Sequence, residues 1–270
     1  IEFYEGIAHP YGYLDNSSGL ELDFSAIEKG IKKGAKHIFY NNYNNPTGAS
    51  SSEEEMAKLA DLVIKNDMFL ISDDAYFDTL FEGTPRSIAS LPGMEERTLT
   101  MYTFSKKFAM TGWRLGGAIG PSKIIDQITR LNVNMESCTT HFIQYGGIAG
   151  LEASKKETQD ILDKLRVRRD MLVKTMNGIE GVEAHSPEAG FYVFPKITKL
   201  MERTGFEDVE EFRKAVLNDT GVSFCGRHHF GRPLDNESDS YIRLAFSGIG
   251  KDDLKEGMGL FQNWIEARAK

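Results

Sequence analysis

Apolar positions recur along the chain with two different periods, and together these periods predict an α/β fold. In the first half, short runs rich in β-branched and aromatic residues predict strands, at residues 36–40, 68–72, 98–103 and 115–119. Between the first two runs, apolar residues recur at the spacing of one helix face, at Met56, Leu59, Ala60 and Val63. Strands that alternate with helices are typical of a parallel sheet covered by helices, so we predict a mostly parallel sheet here.

The start of the helix between the first two strands is marked by a polar run. Residues 50–55 are three serines followed by three glutamates, which gives overlapping Ser-x-x-Glu capping boxes. In such a box the serine and the glutamate each accept a hydrogen bond from a backbone N–H group at the helix start. We therefore expect the helix to begin within this run.

The second half has a different character and predicts a separate, smaller α+β domain. A long charged helical pattern runs from about Gly146 to Asn177 and is typical of a helix that connects two domains. Beyond it, strand-like and helical segments are mixed less regularly: strands at 182–185, 190–195 and 240–246, and helices at 209–218 and from Lys251 to the end. We place the two domains at residues 1–160 and 161–270.

Composition narrows the classes of partner and compartment. The formal net charge of −8 argues against nucleic acid or an anionic membrane as the main partner, although a local basic cluster still permits anionic small molecules. No apolar run reaches the roughly eighteen residues of a membrane span. The two cysteines, Cys138 and Cys225, have no metal-ligand spacing and form no disulfide framework. We expect a cytoplasmic protein, no partner membrane or nucleic acid, and no metal.

A lysine with hydrogen-bond donors nearby in the sequence follows the third predicted strand. Lys106 stands just after Thr103 and Ser105, and Arg114 follows eight positions later. A lone lysine is usually a solvated surface residue. Here, however, two hydroxyls and a guanidinium suit a phosphate, and the amine suits a Schiff base with an aldehyde cofactor.

Polar residues also follow the first two strands, where ligands of open α/β sheets bind. Asp73 ends the second strand and Tyr76 follows it; the carboxylate is able to pair with a protonated pyridine nitrogen and the hydroxyl to donate to a phenolic oxygen. Asn45 lies in the turn Asn-Asn-Pro-Thr-Gly after the first strand. Each of these patterns alone is weak, because acidic loops and tight turns are common.

In combination these motifs identify a family. Asn-Asn-Pro-Thr-Gly at 44–48, Asp-x-Ala-Tyr at 73–76 and Ser-Lys-x-Phe-x-Met-x-Gly-Trp-Arg-Leu-Gly at 105–116 resemble the class I/II aminotransferases. The resemblance implies the fold of type I pyridoxal-phosphate (PLP) enzymes: a mostly parallel sheet in a large domain, incomplete on its N-terminal side, and a smaller C-terminal α+β domain.

The resemblance also implies a cofactor and residue roles. PLP would form a Schiff base with Lys106, which would then act as the proton shuttle, and Asp73 would hold the pyridinium. The other cofactor contacts it implies are Asn45 and Tyr76 at the phenolic oxygen and Thr103, Ser105 and Arg114 at the phosphate. A homodimer is implied in the same way.

In the second half, Arg243 lies in Tyr-Ile-Arg-Leu-Ala-Phe-Ser at 241–247, which matches the family strand whose arginine binds the substrate α-carboxylate. The aromatic stretch 191–194 also fits a family strand, and its default interpretation is core packing.

The chain departs from the family pattern in two places. Family members extend further on the N-terminal side, and residues 1–40 contain neither the glycine loop that cradles the phosphate nor the aromatic residue that stacks on the ring. We therefore expect that the N-terminal part of the protein is missing. At 225–229, Cys-Gly-Arg-His-His replaces the usual Pro-Gly. Adjacent residues of a strand face opposite ways, so we expect that His228 and His229 do not bind one metal ion together; the plain interpretation is a loop, with Arg227 or one histidine at the substrate mouth as a minority alternative.

The leading hypothesis is transamination between an α-amino acid and a 2-oxo acid through Lys106. A PLP-dependent β-lyase acting on a sulfur amino acid would use the same lysine, aspartate and arginine, so the motifs do not separate the two reactions. A third alternative is the aminotransferase-like domain of a transcriptional regulator, with a DNA-binding module ahead of this chain. The substrate side chain is not indicated by any residue in the sequence.

Overall fold

A computed structural model describes residues 1–16, 19–234 and 237–269. The chain divides into two compact units. The first consists of Ile1–Asn44 and Ala49–Asp160, and the second of Asn45–Gly48 and Ile161–Lys270. The short turn Asn45–Gly48 therefore belongs to the second unit, although its neighbours in sequence belong to the first.

The first unit is built on a four-stranded sheet with helices. Its elements up to the end of this sheet are β1 (Tyr13–Asn16), β2 (Gly19–Leu22), α1 (Phe24–Lys32), β3 (His37–Tyr40), α2 (Glu53–Lys65), β4 (Phe69–Asp73), β5 (Thr98–Thr103) and β6 (Gly116–Ile119). The sheet order is β3-β4-β5-β6, in which β3, β4 and β5 run parallel and β6 is antiparallel to β5. The strands β1 and β2 form a separate antiparallel hairpin. The predicted mostly parallel sheet is confirmed.

Burial alternates along these strands, and parallel pairing brings their carboxyl ends together. In β4, Leu70 and Ser72 are buried while their neighbours are half-buried, which is the period-two pattern of a sheet with one better-covered face. The apolar face of α2 packs into the same core, with Met56, Leu59, Ala60 and Val63 all buried as predicted. The carboxyl ends of β4 and β5 are thus adjacent, and they present the residues that follow them at one edge.

The long helical pattern predicted for residues 146–177 is not one helix. The structure has α3 (Ser122–Met135), α4 (His141–Glu152) and α5 (Lys155–Asn177). Ala153 interrupts the pattern because its backbone is extended, with φ −61° and ψ 152°. The spacing of apolar residues did not reveal this break, because the segments before and after it are both helical and show the same period.

The second unit contains a small antiparallel sheet and three α-helices among the residues described after α5. Its elements are β7 (Tyr192–Val193), α6 (Thr198–Thr204), α7 (Val209–Thr220), β8 (Cys225–Gly226), β9 (Ile242–Ala245) and α8 (Lys251–Glu266), with sheet order β7-β9-β8. Phe212 of α7 is fully buried, and its ring contacts those of Phe206, Phe224, Phe261 and Trp264. The strand predicted at 182–185 was wrong: this segment makes only an isolated bridge between Glu183 and Lys196.

The backbone of the two adjacent histidines also differs from the expectation. Arg227–Phe230 form a short 3₁₀ helix. Successive side chains of a 3₁₀ helix are about a third of a turn apart and do not face opposite ways as on a strand. The Nε2 atoms of His228 and His229 both lie near Glu210 Oε2, at 3.3 and 3.9 Å. The prediction that these two side chains face opposite ways is therefore wrong.

Across the described residues, none of the helices combines the length and the apolar character needed to span a lipid bilayer.

Candidate active site

Lys106 lies in the loop after β5, close to an aspartate, an arginine and a tyrosine of the same unit. Burial lowers the pKa of its amine, the Arg114 guanidinium lowers this pKa further, and the Asp73 carboxylate opposes both effects. The Nζ atom lies 5.6 Å from the centroid of the Tyr76 ring. Near neutral pH, a larger fraction of such an amine is neutral than of a solvated lysine, and only the neutral form acts as base or nucleophile.

Asp73 is the last residue of β4, and its environment favours the neutral carboxyl more than water does. Burial raises the pKa of Asp73, while the backbone N–H of Ala75 and the charge of Lys106 act in the lowering direction. The Ala75 N–H group donates to Asp73 Oδ1 at 3.3 Å. Asn41 Nδ2 fixes the backbone at this point by donating to the Asp73 carbonyl at 2.9 Å. The carboxylate is therefore partly desolvated and held at a strand end, where it can receive a cationic ring nitrogen.

Thr103 and Ser105 form a small hydroxyl pair ahead of the lysine. The Thr103 hydroxyl lies 2.9 Å from Ser105 Oγ, and the Ser105 N–H group donates to Thr103 Oγ1 at 3.1 Å. Ser105 is buried. This local turn sets the direction of the chain into Lys106, so the two predicted hydroxyl donors lie together.

Arg114 occupies a strained backbone position on the exposed side of the same loop region. Its φ of 56° and ψ of 48° are left-handed, a conformation that costs a non-glycine residue roughly 1–2 kcal/mol. It directly follows a short 3₁₀ helix at Thr111–Trp113, and its Nη1 donates to the Thr111 carbonyl at 2.9 Å. Strain of this kind persists where the surroundings impose it and is frequent at functional sites.

The second unit holds the other two predicted residues in direct contact. Arg243 Nη1 donates to Asn45 Oδ1 at 2.8 Å, and Nη2 lies 3.7 Å from Cys225 Sγ. The guanidinium carbon lies 4.2 Å from the centroid of the Tyr192 ring and 4.5 Å from that of Phe230. Within the part of the chain that the structure describes, the buried Nε atom of Arg243 has no hydrogen-bond partner. The arginine is thus held between two rings and retains a donor.

Sequence reasoning missed several neighbours of these residues. Asp78 accepts hydrogen bonds from both Tyr102 Oη and Lys107 Nζ, and so ties the segment after β4 to the residue next to Lys106. Tyr192 was assigned to the core with its aromatic neighbours, but it is half-buried and packs on Arg243. The acid at 78 and the lysine at 107 were visible in the sequence, whereas their contact depends on tertiary structure.

Comparison with known proteins first defines the class. Folds of this kind occur in PLP-dependent aminotransferases of fold type I, and an aromatic aminotransferase from Pyrococcus horikoshii matches with a TM-score of 0.83 at 29% identity, over 92% of this chain and 64% of that one. The family model "Aminotransferase class I and II" matches residues 4–259. The chain belongs to this family, as the motifs predicted, and the family implies PLP as cofactor.

Curated relatives agree with this assignment. An aspartate aminotransferase of Sulfurisphaera tokodaii is 30% identical over 253 residues, which are 94% of this chain and 62% of the relative. An aromatic-amino-acid aminotransferase of Thermococcus litoralis is 31% identical over 259 residues, 95% of this chain and 63% of the relative. The chain thus spans less than two thirds of the length of these relatives.

Proposed function

We propose that the protein of which this chain is part is a PLP-dependent aminotransferase that moves an amino group between an α-amino acid and a 2-oxo acid. The observation that carries the proposal is Lys106. Burial and the Arg114 guanidinium lower the pKa of its amine, and the Asp73 carboxylate acts in the opposite direction. Family membership over nearly the whole chain supports the same conclusion.

The donor set of the first unit fits this cofactor by its chemistry. It combines an amine for an aldehyde, a half-buried carboxylate for a ring nitrogen, and a guanidinium with two hydroxyls for a phosphate. We assign the aldehyde to Lys106, the ring nitrogen to Asp73, and the phosphate to Thr103, Ser105 and Arg114. Asn45 and Tyr76 are our candidates for the phenolic oxygen.

When bound, PLP supplies a carbonyl that links to amines and a ring that withdraws electrons from the substrate Cα. Lys106 would have two tasks: its amine would hold the cofactor, and once free it would take a proton from the substrate Cα and pass this proton to a carbon of the cofactor. Burial and the charge of Arg114 favour the neutral amine that is needed to accept this proton. Asp73 would hold the ring nitrogen in its protonated form, because a carboxylate pairs with a positive charge.

Arg243 is our candidate for binding the substrate α-carboxylate. A guanidinium offers parallel hydrogen bonds to a carboxylate, which orient the substrate as well as hold it. Its position between the Tyr192 and Phe230 rings supports this role, because the two rings hold the guanidinium in place. The relatives are named for aspartate and for aromatic amino acids, so the substrate class that we propose is the α-amino acids in general.

The decisive experiment tests the covalent link and the turnover together. After addition of PLP and borohydride, peptide mass spectrometry should find the phosphopyridoxyl group on Lys106 and not on the adjacent Lys107. Lys106→Ala should abolish amino transfer, whereas Lys107→Ala should retain the covalent label. Label on another lysine, or undiminished turnover in Lys106→Ala, would refute the assignment.

The reaction type needs its own assay. With an amino acid and a 2-oxo acid acceptor, transamination predicts a new amino acid and no free ammonia. Release of pyruvate and ammonia from a sulfur amino acid without an acceptor would contradict the proposal and identify the β-lyase. Salt-sensitive binding of DNA by the full-length protein would instead support the regulator.

We also propose that the full-length enzyme is a cytoplasmic homodimer without a membrane or nucleic-acid partner. Exposed apolar residues of α3 and α4, such as Leu131, Met135 and Phe142, support association through this part of the first unit. Sedimentation of the full-length protein at micromolar concentration should give twice the mass of one chain. A measured mass of one chain would contradict the proposed homodimer.

A further inference from the structure

A glutamate and two histidines of the second unit form a compact cluster apart from the residues discussed above. Glu210 lies in the first turn of α7, and His228 and His229 lie in the 3₁₀ helix Arg227–Phe230. One ligand atom from each residue lies within 4.8 Å of the others. We call these three residues the Glu210 cluster.

The separations within the cluster are close to those of metal ligands. The Nε2 atoms of His228 and His229 lie 3.3 and 3.9 Å from Glu210 Oε2. Ligands at about 2.0–2.1 Å from Zn²⁺ in a tetrahedron are roughly 3.3 Å apart. The ligand atoms of the two histidines also lie within 4.8 Å of each other, so His229 would have to approach the other two ligands for all three to surround one ion.

The neighbouring backbone orients both rings. His229 Nδ1 lies 3.2 Å from both the backbone nitrogen and the carbonyl oxygen of Gly226, so these two groups fix the ring in either tautomer. The tautomer whose Nδ1–H group donates to the carbonyl leaves the Nε2 lone pair directed at Glu210, and metal binding requires this tautomer. Gly226 also makes room for the other ring, because a Cβ atom there would lie 2.7 Å from His228 Cε1. Both imidazoles are thus held with Nε2 toward the carboxylate.

The positive charges around Glu210 have two opposing effects on metal binding. Arg213 donates from Nε to Oε2 at 2.7 Å and from Nη2 to Oε1 at 2.6 Å, and Lys214 Nζ lies 3.5 Å from Oε1. These contacts orient the carboxylate in the manner of supporting residues around metal ligands, and its remaining lone pairs are available to an ion. The two positive charges also repel a dication, so we expect weaker binding than at a closed four-ligand site.

We propose that Glu210, His228 and His229 bind a divalent transition metal ion, with Zn²⁺ as the reference, and leave at least one coordination position open. Two imidazoles and a carboxylate are a ligand set that suits Zn²⁺ and does not suit Mg²⁺ or Ca²⁺. The ion would join the start of α7 to the 3₁₀ helix that carries Phe230, the ring packed on Arg243. Metal binding would therefore restrain the segment that positions Arg243.

The test is calorimetric titration of the chain with Zn²⁺ at neutral pH. We expect one ion per chain, and we expect His228→Ala, His229→Ala and Glu210→Gln each to weaken binding by at least about tenfold, since changes to residues that merely support ligands already cost roughly 10–100-fold. His185→Ala, in the same unit but outside the cluster, is the matched control and should bind as the parent does.

A second measurement guards against variants that fold poorly. Zn²⁺ should raise the melting temperature of the parent and of His185→Ala, and not that of the double variant His228→Ala/His229→Ala, whose circular dichroism should match the parent. Absence of saturable Zn²⁺ binding would overturn the proposal and leave only an ion-pair cluster. Equal binding by the parent and the double variant would also overturn it.

Discussion

Arg243 and Asn45 are 198 positions apart in the chain, and Arg243 Nη1 donates a hydrogen bond to Asn45 Oδ1 at 2.8 Å. The turn Asn45–Gly48 belongs to the second compact unit, as Arg243 does. Two residues proposed for different ligands, one for the cofactor and one for the substrate carboxylate, are therefore coupled directly. A change in either should alter the orientation of the other.

Arg243→Lys should raise the KM for the amino acid far more than it lowers kcat. Lysine keeps the charge but loses the parallel donors, and a charged hydrogen bond contributes roughly 1.5–3 kcal/mol, so we expect a loss in kcat/KM of about 10–100-fold. Steady-state kinetics of the full-length enzyme measure this split. Arg203→Lys, a change at an ion pair with Glu180, is the control and should leave the KM unaltered; an unaltered KM in Arg243→Lys would exclude the proposed role.

Local and long-range features differ in how well the sequence predicts them. The helix faces, the strands of the large sheet and the loop residues near Lys106 follow from short patterns, because period, caps and turn residues act over a few positions. The break at Ala153 and the 3₁₀ helix at 227–230 do not, since the same residue types are compatible with a continuous helix or a loop. Motifs predicted Asn45 and Arg243 as site residues, but the direct contact between these two side chains depends on tertiary packing.

The pKa of Lys106 should respond to its two charged neighbours in opposite directions. Arg114→Gln removes a positive charge and should raise the pKa of the amine, whereas Asp73→Asn removes a negative charge and should lower it further. Titration of the ¹³C-labelled lysine Cε resonance of the chain without added cofactor follows this pKa directly. The same direction of change in both variants would contradict the electrostatic account.

The lowered pKa of Lys106 also predicts how stability depends on pH. Because the folded state binds this proton less well than the unfolded state, the free energy of unfolding should rise with pH between the lowered pKa and the ordinary value of 10.5. Lys106→Met removes the partly buried amine, so the stability of this variant relative to the parent should be greatest below this window and diminish across it. Urea unfolding at a series of pH values measures the difference, and a difference independent of pH would refute the linkage.

The capping box of α2 should have a measurable effect on stability. Ser52 Oγ accepts from the Glu55 N–H group at 3.1 Å, and Glu55 accepts from the N–H groups of Ser52 and Leu22, each at 2.8 Å. Ser52→Ala should lower the free energy of unfolding by about 1 kcal/mol, and Glu55→Ala by a similar amount or more, because a second backbone donor loses its acceptor. Urea unfolding provides both values.

Glu54→Ala is the matched control for this helix start. Glu54 stands in the same turn and is exposed, but it takes no part in the box, so its replacement should change stability by less than about 0.5 kcal/mol. Equal effects of Glu54→Ala and Glu55→Ala would show that the charge of the first turn, and not the reciprocal hydrogen bonds, stabilises the helix.

Substitutions at two glycines of the second unit distinguish the effect of backbone strain from that of steric contact. Gly48 and Gly205 have nearly the same left-handed φ, +71° and +76°. A Cβ atom at Gly205 would meet nothing within 4 Å, whereas at Gly48 it would lie 2.8 Å from Pro187 Cβ and 3.2 Å from the Tyr192 carbonyl oxygen. Gly205→Ala should therefore lower the free energy of unfolding by only about 1–2 kcal/mol, which is the cost of a left-handed backbone for alanine.

Gly48→Ala should lower the free energy of unfolding by the same roughly 1–2 kcal/mol and by about a further 1–3 kcal/mol, because the added methyl group must displace neighbouring atoms. It should also disturb the Asn45–Arg243 hydrogen bond, since Gly48 closes the turn that Asn45 opens and Tyr192 packs on Arg243. We therefore expect Gly48→Ala to raise the KM for the amino acid in the full-length enzyme, while Gly205→Ala lowers stability alone. Comparable losses of stability and an unaltered KM in both variants would show that the close approach at Gly48 has no influence on the proposed carboxylate site.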